Sequence, residues 1–322
     1  MTRLSLLVGA LAVLSAFGST FGRLRAIPPA WRVRFGFVAL TGLLMATVAL
    51  LAAILLPEVL VLRSVRDIWT ACTAAFHFIW RHPFHRLASI TAGLALALLI
   101  GRFVWAVAGS ILATRRTRST LVKATRRPAD DDVFVLNVDH PEAFSVGGRR
   151  GLVVVTRGLL EMLDEDERHG VVLHEEGHLR SRHHVLLGLA RATACAMAPF
   201  PPARLALEAL EQAVEEAADE YAAERLGSGV AVASGLSKAA LAGLRAPVGS
   251  LSIGDGPDIP ARVRRLLAPP SAPPWVPIVC LIGVVTLLGM VLATQYVAGL
   301  AVVAAVHHLL GLGTAMSCPL FR

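Results

Sequence analysis

The sequence predicts an α-helical integral membrane protein, with about four transmembrane helices and one water-soluble α+β domain. Three observations predict it. The chain of 322 residues is 55% hydrophobic with a mean hydropathy of +0.63, too apolar for an ordinary soluble domain. Its apolar residues gather in four runs, at 4–21, 35–56, 87–113 and 277–306, and a membrane-spanning helix needs roughly 20 such residues. Only the stretch 114–274 is polar enough to fold in water, and it is long enough to bury a sizeable core.

The first run is uncharged and follows Arg3, as a cleaved secretory signal would. Arg23, Arg25, Arg32 and Arg34 follow it at once, and translocating such a cluster is disfavoured, so it reads as a retained span. The run 35–56 is also uncharged. The run 87–113 is broken only by Arg102, whose side chain is expected to snorkel towards the cytoplasmic face. The run 277–306 exceeds one span, but Gln295-Tyr296 lacks turn residues, so one span with an apolar tail is expected. The chain then divides into a membrane domain with three spans at 1–113, a soluble domain at 114–274, and a final span with its tail at 275–322.

A net charge of +8 and a pI near 10.3 raise the question of a nucleic-acid partner. The basic residues instead crowd the ends of the apolar runs. Arg115, Arg116, Arg118, Lys123, Arg126 and Arg127 follow the third run, and Arg262, Arg264 and Arg265 precede the fourth. That pattern orients a multi-pass protein in the cell membrane and implies a lipid partner, not nucleic acid. It places 114–274 in the cytoplasm and both termini outside, although Arg63, Arg66, Arg81 and Arg86 in the outer loop pull the other way. The four cysteines show no Cys-x-x-Cys spacing and read as small apolar residues.

Within the soluble stretch, 133–138, 143–146 and 151–156 read as short strands, rich in β-branched residues and separated by Asp-His-Pro and Gly-Gly. Two or three antiparallel strands are expected. Asp164 with Glu167 forms a capping box, so a helix starts there. The Pro-rich segment 198–202 breaks the helical pattern, a long helix follows over 203–226, and Gly227 closes it. The Gly-, Ser- and Pro-rich segment 227–260 reads as looser chain.

The helix begun at Asp164 carries His174-Glu175-Glu176-Gly177-His178. Residues four apart share a helical face, so both imidazoles can meet one metal ion, and Glu175 falls beside it as a base for water. A catalytic zinc takes three protein ligands and keeps one position open. One source of the third is the helix 203–226, with Glu211, Glu215, Glu216 and Asp219; Glu215 and Asp219 share a face, so one can ligate while the other orients a ligand histidine. The other source is His184, spaced as in His-Glu-x-x-His-x-x-Gly-x-x-His, but Ser181 stands where glycine would let the chain turn back. The helix is therefore expected to continue past Ser181, and Glu215 is preferred. His183 and His184 are expected to be exposed or to support the site, not to act in it.

Three segments carry a family resemblance: Ala143-Phe144-Ser145-Val146-Gly147, then Val153-Val154-Val155-Thr156-Arg157-Gly158-Leu159-Leu160, then Leu163-Asp164-Glu165-Asp166-Glu167 leading into the histidine helix. Together they resemble the membrane zinc peptidases of the BlaR/MecR type and their HtpX and CAAX-prenyl-protease relatives. The resemblance implies a zincin-like (gluzincin) peptidase domain that holds one Zn2+ per chain. It implies Glu215 as third ligand and Asp219 as partner of a ligand histidine, because Glu215-Glu216-Ala217-Ala218-Asp219 matches the family's Glu-x-x-x-Asp. It also implies that the strand of Ala143, Phe144 and Ser145 aligns substrate by edge pairing. Arg262-Val263-Arg264-Arg265-Leu266 looks like the family's Arg-Val/Ile-x-x-Leu segment. Glu142 stands where many relatives have asparagine. Asp258-Ile259-Pro260 replaces the His-Pro pair of HtpX proteins, which leaves the residue that stabilises the transition state unassigned. No penicillin-binding sensor is expected.

The expected activity is hydrolysis of peptide bonds in cytoplasmic or membrane-associated proteins, with a transcriptional repressor as one candidate substrate in regulatory proteolysis. Zinc would polarise the carbonyl, and Glu175 would take the attacking water's proton and pass it to the leaving amine. An HtpX-like quality-control protease and a non-catalytic signalling membrane protein are the alternatives. Oligomeric state stays open.

Overall fold

The computed structural model describes residues 27–55, 83–125, 133–148, 151–198, 200–242, 251–252, 258–269 and 282. Helix α1 (Pro29–Leu55) and helix α2 (Pro83–Thr125) each open on a proline, whose fixed φ and missing N–H suit a first helical turn. Both are long and apolar enough to cross a membrane, over Pro29–Leu51 and Ser89–Leu121. Half of the α1 window is buried, against 11% of the α2 window. Leu87, Leu94, Leu98, Val104 and Trp105 therefore form an exposed apolar face along α2, which hydrocarbon covers at no cost and water does not. The spans expected at 4–21 and 277–306 lie outside the described residues.

Strands β1 (Val133–Leu136), β2 (Ala143–Val146), β3 (Leu152–Thr156) and β4 (Leu251–Ser252) form one sheet in the order β1-β3-β2-β4. The strands are not all antiparallel as expected: β1 pairs with β3 in parallel. The connection 137–142 is long enough to carry the chain across two strand spacings, so β2 returns one slot away and β3 fills the gap by a hairpin. Thr156 Oγ1 accepts from the Glu142 N–H at 2.7 Å and fixes that crossing. Strand β2 also has a neighbour on its other side. Phe144 and Ser145 lie opposite Ser252 and Leu251 of β4, so the strand expected to meet substrate is bordered on both sides.

Four helices frame the sheet and the site: α3 (Arg157–Met162), α4 (Glu165–Arg180), α5 (His183–Ala196) and α6 (Pro201–Leu226). Helix α4 starts at the capping box, with Glu167 N–H donating to Asp164 at 2.9 Å and Asp164 N–H donating to Glu167 Oε2 at 3.0 Å. It stops at Arg180, contrary to expectation. Arg182 adopts the left-handed conformation (φ 52°) that a glycine normally supplies, at a cost of about 1–2 kcal/mol, and α5 leaves in a new direction. Helix α6 ends on Gly227 at φ 75°.

Helix α7 (Gly229–Leu241) occupies a stretch that composition alone marks as looser chain. Ser228 caps it by accepting from Ala231 N–H, and Val232, Leu236 and Ala239 supply a buried stripe at helical spacing. Helix α8 (Ile259–Leu267) follows, capped by Asp258. The sheet, α4 and α7 share one core through Ala143, Val153, Val155, Leu159, Val171 and Leu236. A separate core joins α1 to α5 and α6 through Leu40, Leu43, Leu187, Leu210 and Val214. Arg102 of α2, expected to snorkel, reaches α5. Its Nε donates to the Cys195 carbonyl at 3.0 Å, because the last turn of α5 offers carbonyls with partial negative charge.

Candidate metal centre

Helix α4 packs against α6 at close range because Gly177 has no side chain; a Cβ there would lie 3.1 Å from Tyr221. That approach brings His174, His178 and Glu215 together, all buried, with one donor atom of each within 4.8 Å of the others. His174 Nε2 and His178 Nε2 are 3.1 Å apart, and each lies 3.6 Å from a Glu215 oxygen. A tetrahedral ion with bonds of about 2.0–2.2 Å separates its donors by roughly 3.3–3.6 Å. The three residues fit a metal ion of that size.

The partners of the ring nitrogens point the same way. His174 Nδ1 lies 2.9 Å from Asp219 Oδ1, and His178 Nδ1 lies 3.0 Å from His183 Nδ1. An imidazole whose Nδ1–H is engaged presents its Nε2 lone pair. Both Nε2 lone pairs then face each other and a carboxylate, an arrangement that a cation satisfies and an empty space does not.

Arg262 of α8 completes the surroundings. It is fully buried, donates from Nε and Nη2 to the two Asp219 oxygens at 2.7 and 2.8 Å, and places Nη1 3.1 Å from Glu215 Oε2. Burial alone would raise the Glu215 pKa, but Arg262, then His178 and His174, outweigh it and bring it down to about 2. Asp219 is likewise pulled well below the carboxylate range, Arg262 outweighing burial. Burial opposes a charge on His174, yet Asp219 and Glu215 raise its pKa to about 9. Burial lowers His178, and lowers His183 to about 4, so His183 is a neutral partner for its neighbour.

Glu175 is also fully buried. Glu216, next to the candidate ligand, turns away from the metal centre to pair with Arg32 of α1, and Glu211 accepts from Arg191 at 2.8 Å. His184 is not among the grouped donors; its ring lies against Gly147. Ala143, Phe144 and Ser145 are buried in β2, against which α4 packs. Sequence places Arg262 among the basic residues before the last apolar run and in a family segment, not at the site, and leaves His183 either exposed or supporting the site; it is buried beside His178. A buried arginine is hard to foresee among Arg264 and Arg265, since its depth depends on the approach of α8 to α6.

Residues 113–269 match the model described as Peptidase family M48. Relatives each described as "Protease HtpX homolog" share parts of the same sequence. That of Thermoplasma acidophilum is 49% identical over 55 residues, 16% of this chain and 17% of the relative. That of Aquifex aeolicus is 31% identical over 123 residues, 32% of this chain and 40% of the relative. That of Desulforapulum autotrophicum is 41% identical over 63 residues, 19% and 20% respectively. The chain therefore spans well under half the length of these relatives. No solved structure matches. The M48 match and the apolar helices α1 and α2 support a membrane metallopeptidase. They do not single out the BlaR/MecR type, and the relatives named here do not support a signalling role.

Proposed function

We propose that this chain is a zinc-dependent endopeptidase, integral to the cell membrane with its peptidase domain in the cytoplasm, that cuts membrane-associated or cytoplasmic proteins. The observation that carries the reading is the buried trio His174, His178 and Glu215, with both histidines held through Nδ1 and both Nε2 atoms turned inward. His174, His178 and Glu215 would hold one Zn2+, which when bound supplies Lewis acidity for a peptide carbonyl and for water. Asp219 holds His174 in the tautomer that ligates, and Arg262 holds Asp219. Glu175 accepts the proton of the attacking water and delivers it to the leaving amine. Ala143, Phe144 and Ser145 align the substrate backbone, which takes the place of the two-residue strand β4 at the β2 edge.

The names of the relatives favour HtpX-like quality control, with many substrates, over a regulator that cuts one or a few proteins such as a transcriptional repressor. Comparing proteomes of cells carrying wild-type and Glu175→Gln protein separates the two by the number of stabilised proteins. The central test is Glu175→Gln itself. Proteolysis is expected to disappear while one zinc per chain stays bound; full activity would overturn the mechanism, and absence of zinc from the wild type would favour a non-catalytic membrane protein.

A further inference from the structure

Helices α2 and α5 diverge to leave a cavity of about 390 Å³ at the end of α2 nearest the peptidase domain. Its two ends differ in chemistry. Val107 and Ile111 of α2 and Leu189 of α5 line one end, and Arg115 and Arg118 of α2 with His184 of α5 line the other. The α2 residues recur at three- and four-residue spacing, so they form one face of the helix. Among the described residues no carboxylate lines the cavity. Burial, then Arg182, holds His184 below the ordinary histidine range, so it serves as a neutral hydrogen-bonding group beside the two guanidiniums.

Helix α5 stays close to α2 at the apolar end because position 188 is glycine, where a Cβ would lie 3.2 Å from Ser110 Oγ. At the basic end both groups press on the turn after β2. A Cβ on Gly147 would lie 2.0 Å from the His184 ring, and one on Gly148 would lie 2.2 Å from Arg118 Nη1. Arg115 and Arg118 lie towards the end of the apolar stretch Ser89–Leu121; with α2 in a bilayer, that is the level at which headgroups meet acyl chains.

We infer that this slot binds one anionic phospholipid, its phosphate between Arg115, Arg118 and His184 and an acyl chain along Val107, Ile111 and Leu189. The inference rests on α2 lying in a bilayer. The occupant is a lipid because one end suits a phosphate and the adjoining end a hydrocarbon chain, at the depth where only a lipid offers both. A bound headgroup then braces the turn that leads out of β2.

Full-length protein in detergent, stripped of lipid, is tested by native mass spectrometry with phosphatidylglycerol, phosphatidylcholine or inorganic phosphate. One phosphatidylglycerol is expected to stay bound, phosphatidylcholine is not, and phosphate does not compete. Arg118→Gln weakens retention about fivefold, the worth of one basic residue at a membrane surface. Arg116→Gln, an exposed neighbour outside the slot, leaves it unchanged. If Arg118→Gln does not fold, Arg115→Gln carries the same readout. Equal retention of both lipids, equal loss in Arg116→Gln, or displacement by phosphate would each overturn the site. Recovery of the wild type in the soluble fraction without detergent would overturn the membrane reading itself.

Discussion

Arg32, in the first turn of α1, is ion-paired with Glu216, the residue that follows the candidate ligand Glu215 in α6. Both side chains are buried, and Glu216 also accepts from Gln212 Nε2 at 2.9 Å and lies 3.6 Å from Arg265 Nε. A helix long and apolar enough to cross a membrane is thereby tied to the helix that carries the candidate ligand Glu215. Arg32→Ala leaves the buried Glu216 with only Gln212 and the more distant Arg265, and losing one partner of a buried pair costs at most about 3–5 kcal/mol. The double change Arg32→Met with Glu216→Leu should cost much less. Thermal unfolding in detergent checks it; equal losses in single and double variants would refute the pairing as the cause.

Arg262 sets the charge of the metal centre. Arg262→Ala leaves Asp219 and Glu215 buried without their shared cation, and several kcal/mol of stability should go with it. Arg262→Lys keeps the charge but loses the two-pronged hold on Asp219, so the fold should survive while zinc affinity falls about 10–100-fold. Competition against a chromophoric chelator measures that change. Wild-type affinity in the lysine variant would show that the fork is dispensable.

His183 is expected to matter for metal retention although it is not a ligand. Removing it leaves His178 Nδ1 without its partner at 3.0 Å, and such outer contacts are typically worth about 10–100-fold in metal affinity. His183→Ala should release zinc more readily, and His183→Asn, which can accept through its amide oxygen, should restore part of the loss. Equal affinities in all three proteins would rule out this role.

The start of α4 carries an acid-sensitive contact away from the candidate metal centre. Burial opposes the Glu167 charge, but Lys238 at 2.6 Å, Ser234 and the Asp164 N–H outweigh it and hold its pKa below the ordinary 4.5. A carboxylate whose folded pKa is depressed binds fewer protons folded than unfolded. Its stabilisation is present above the ordinary value and fades as pH falls through the folded one. Stability measured against pH should therefore drop on acidification below 4.5 less steeply in Glu167→Gln than in wild type; superimposable slopes would count against it.

The readable parts of this protein are those set by local chemistry. The start of α4 follows from Asp164 and Glu167, the end of α6 from Gly227, and α1 and α2 from apolar length alone. Of the candidate ligands, His174 and His178 are legible from four-residue spacing on one helix, whereas spacing leaves Glu215 and Asp219 as alternatives and the family resemblance implies Glu215. What escaped was set by packing at a distance. The parallel pairing of β1 with β3 depends on which slot a returning strand takes. The end of α4 at Arg182 is a left-handed residue where composition offers no glycine, so contacts of the folded chain must hold it. Helix α7 was hidden by its small residues, which fail as a hydrophobic signal yet suit close packing on α4. Arg262 and His183 owe their places to the approach of neighbouring helices.

The adjacency of Glu215 and Glu216 also limits how this gene can change length. Successive residues of a helix point about 100° apart, so one peptide unit separates the side chain that meets the histidines from the one that meets Arg32. Deleting or inserting a single residue between Leu210 and Glu215 would swing the carboxylates out of both positions at once, and no compensating shift of α1 could restore both. Point substitutions on the exposed side of the same helix, at Arg204 or Glu208, meet no such barrier. Indels should be purged from this stretch while its outer face drifts.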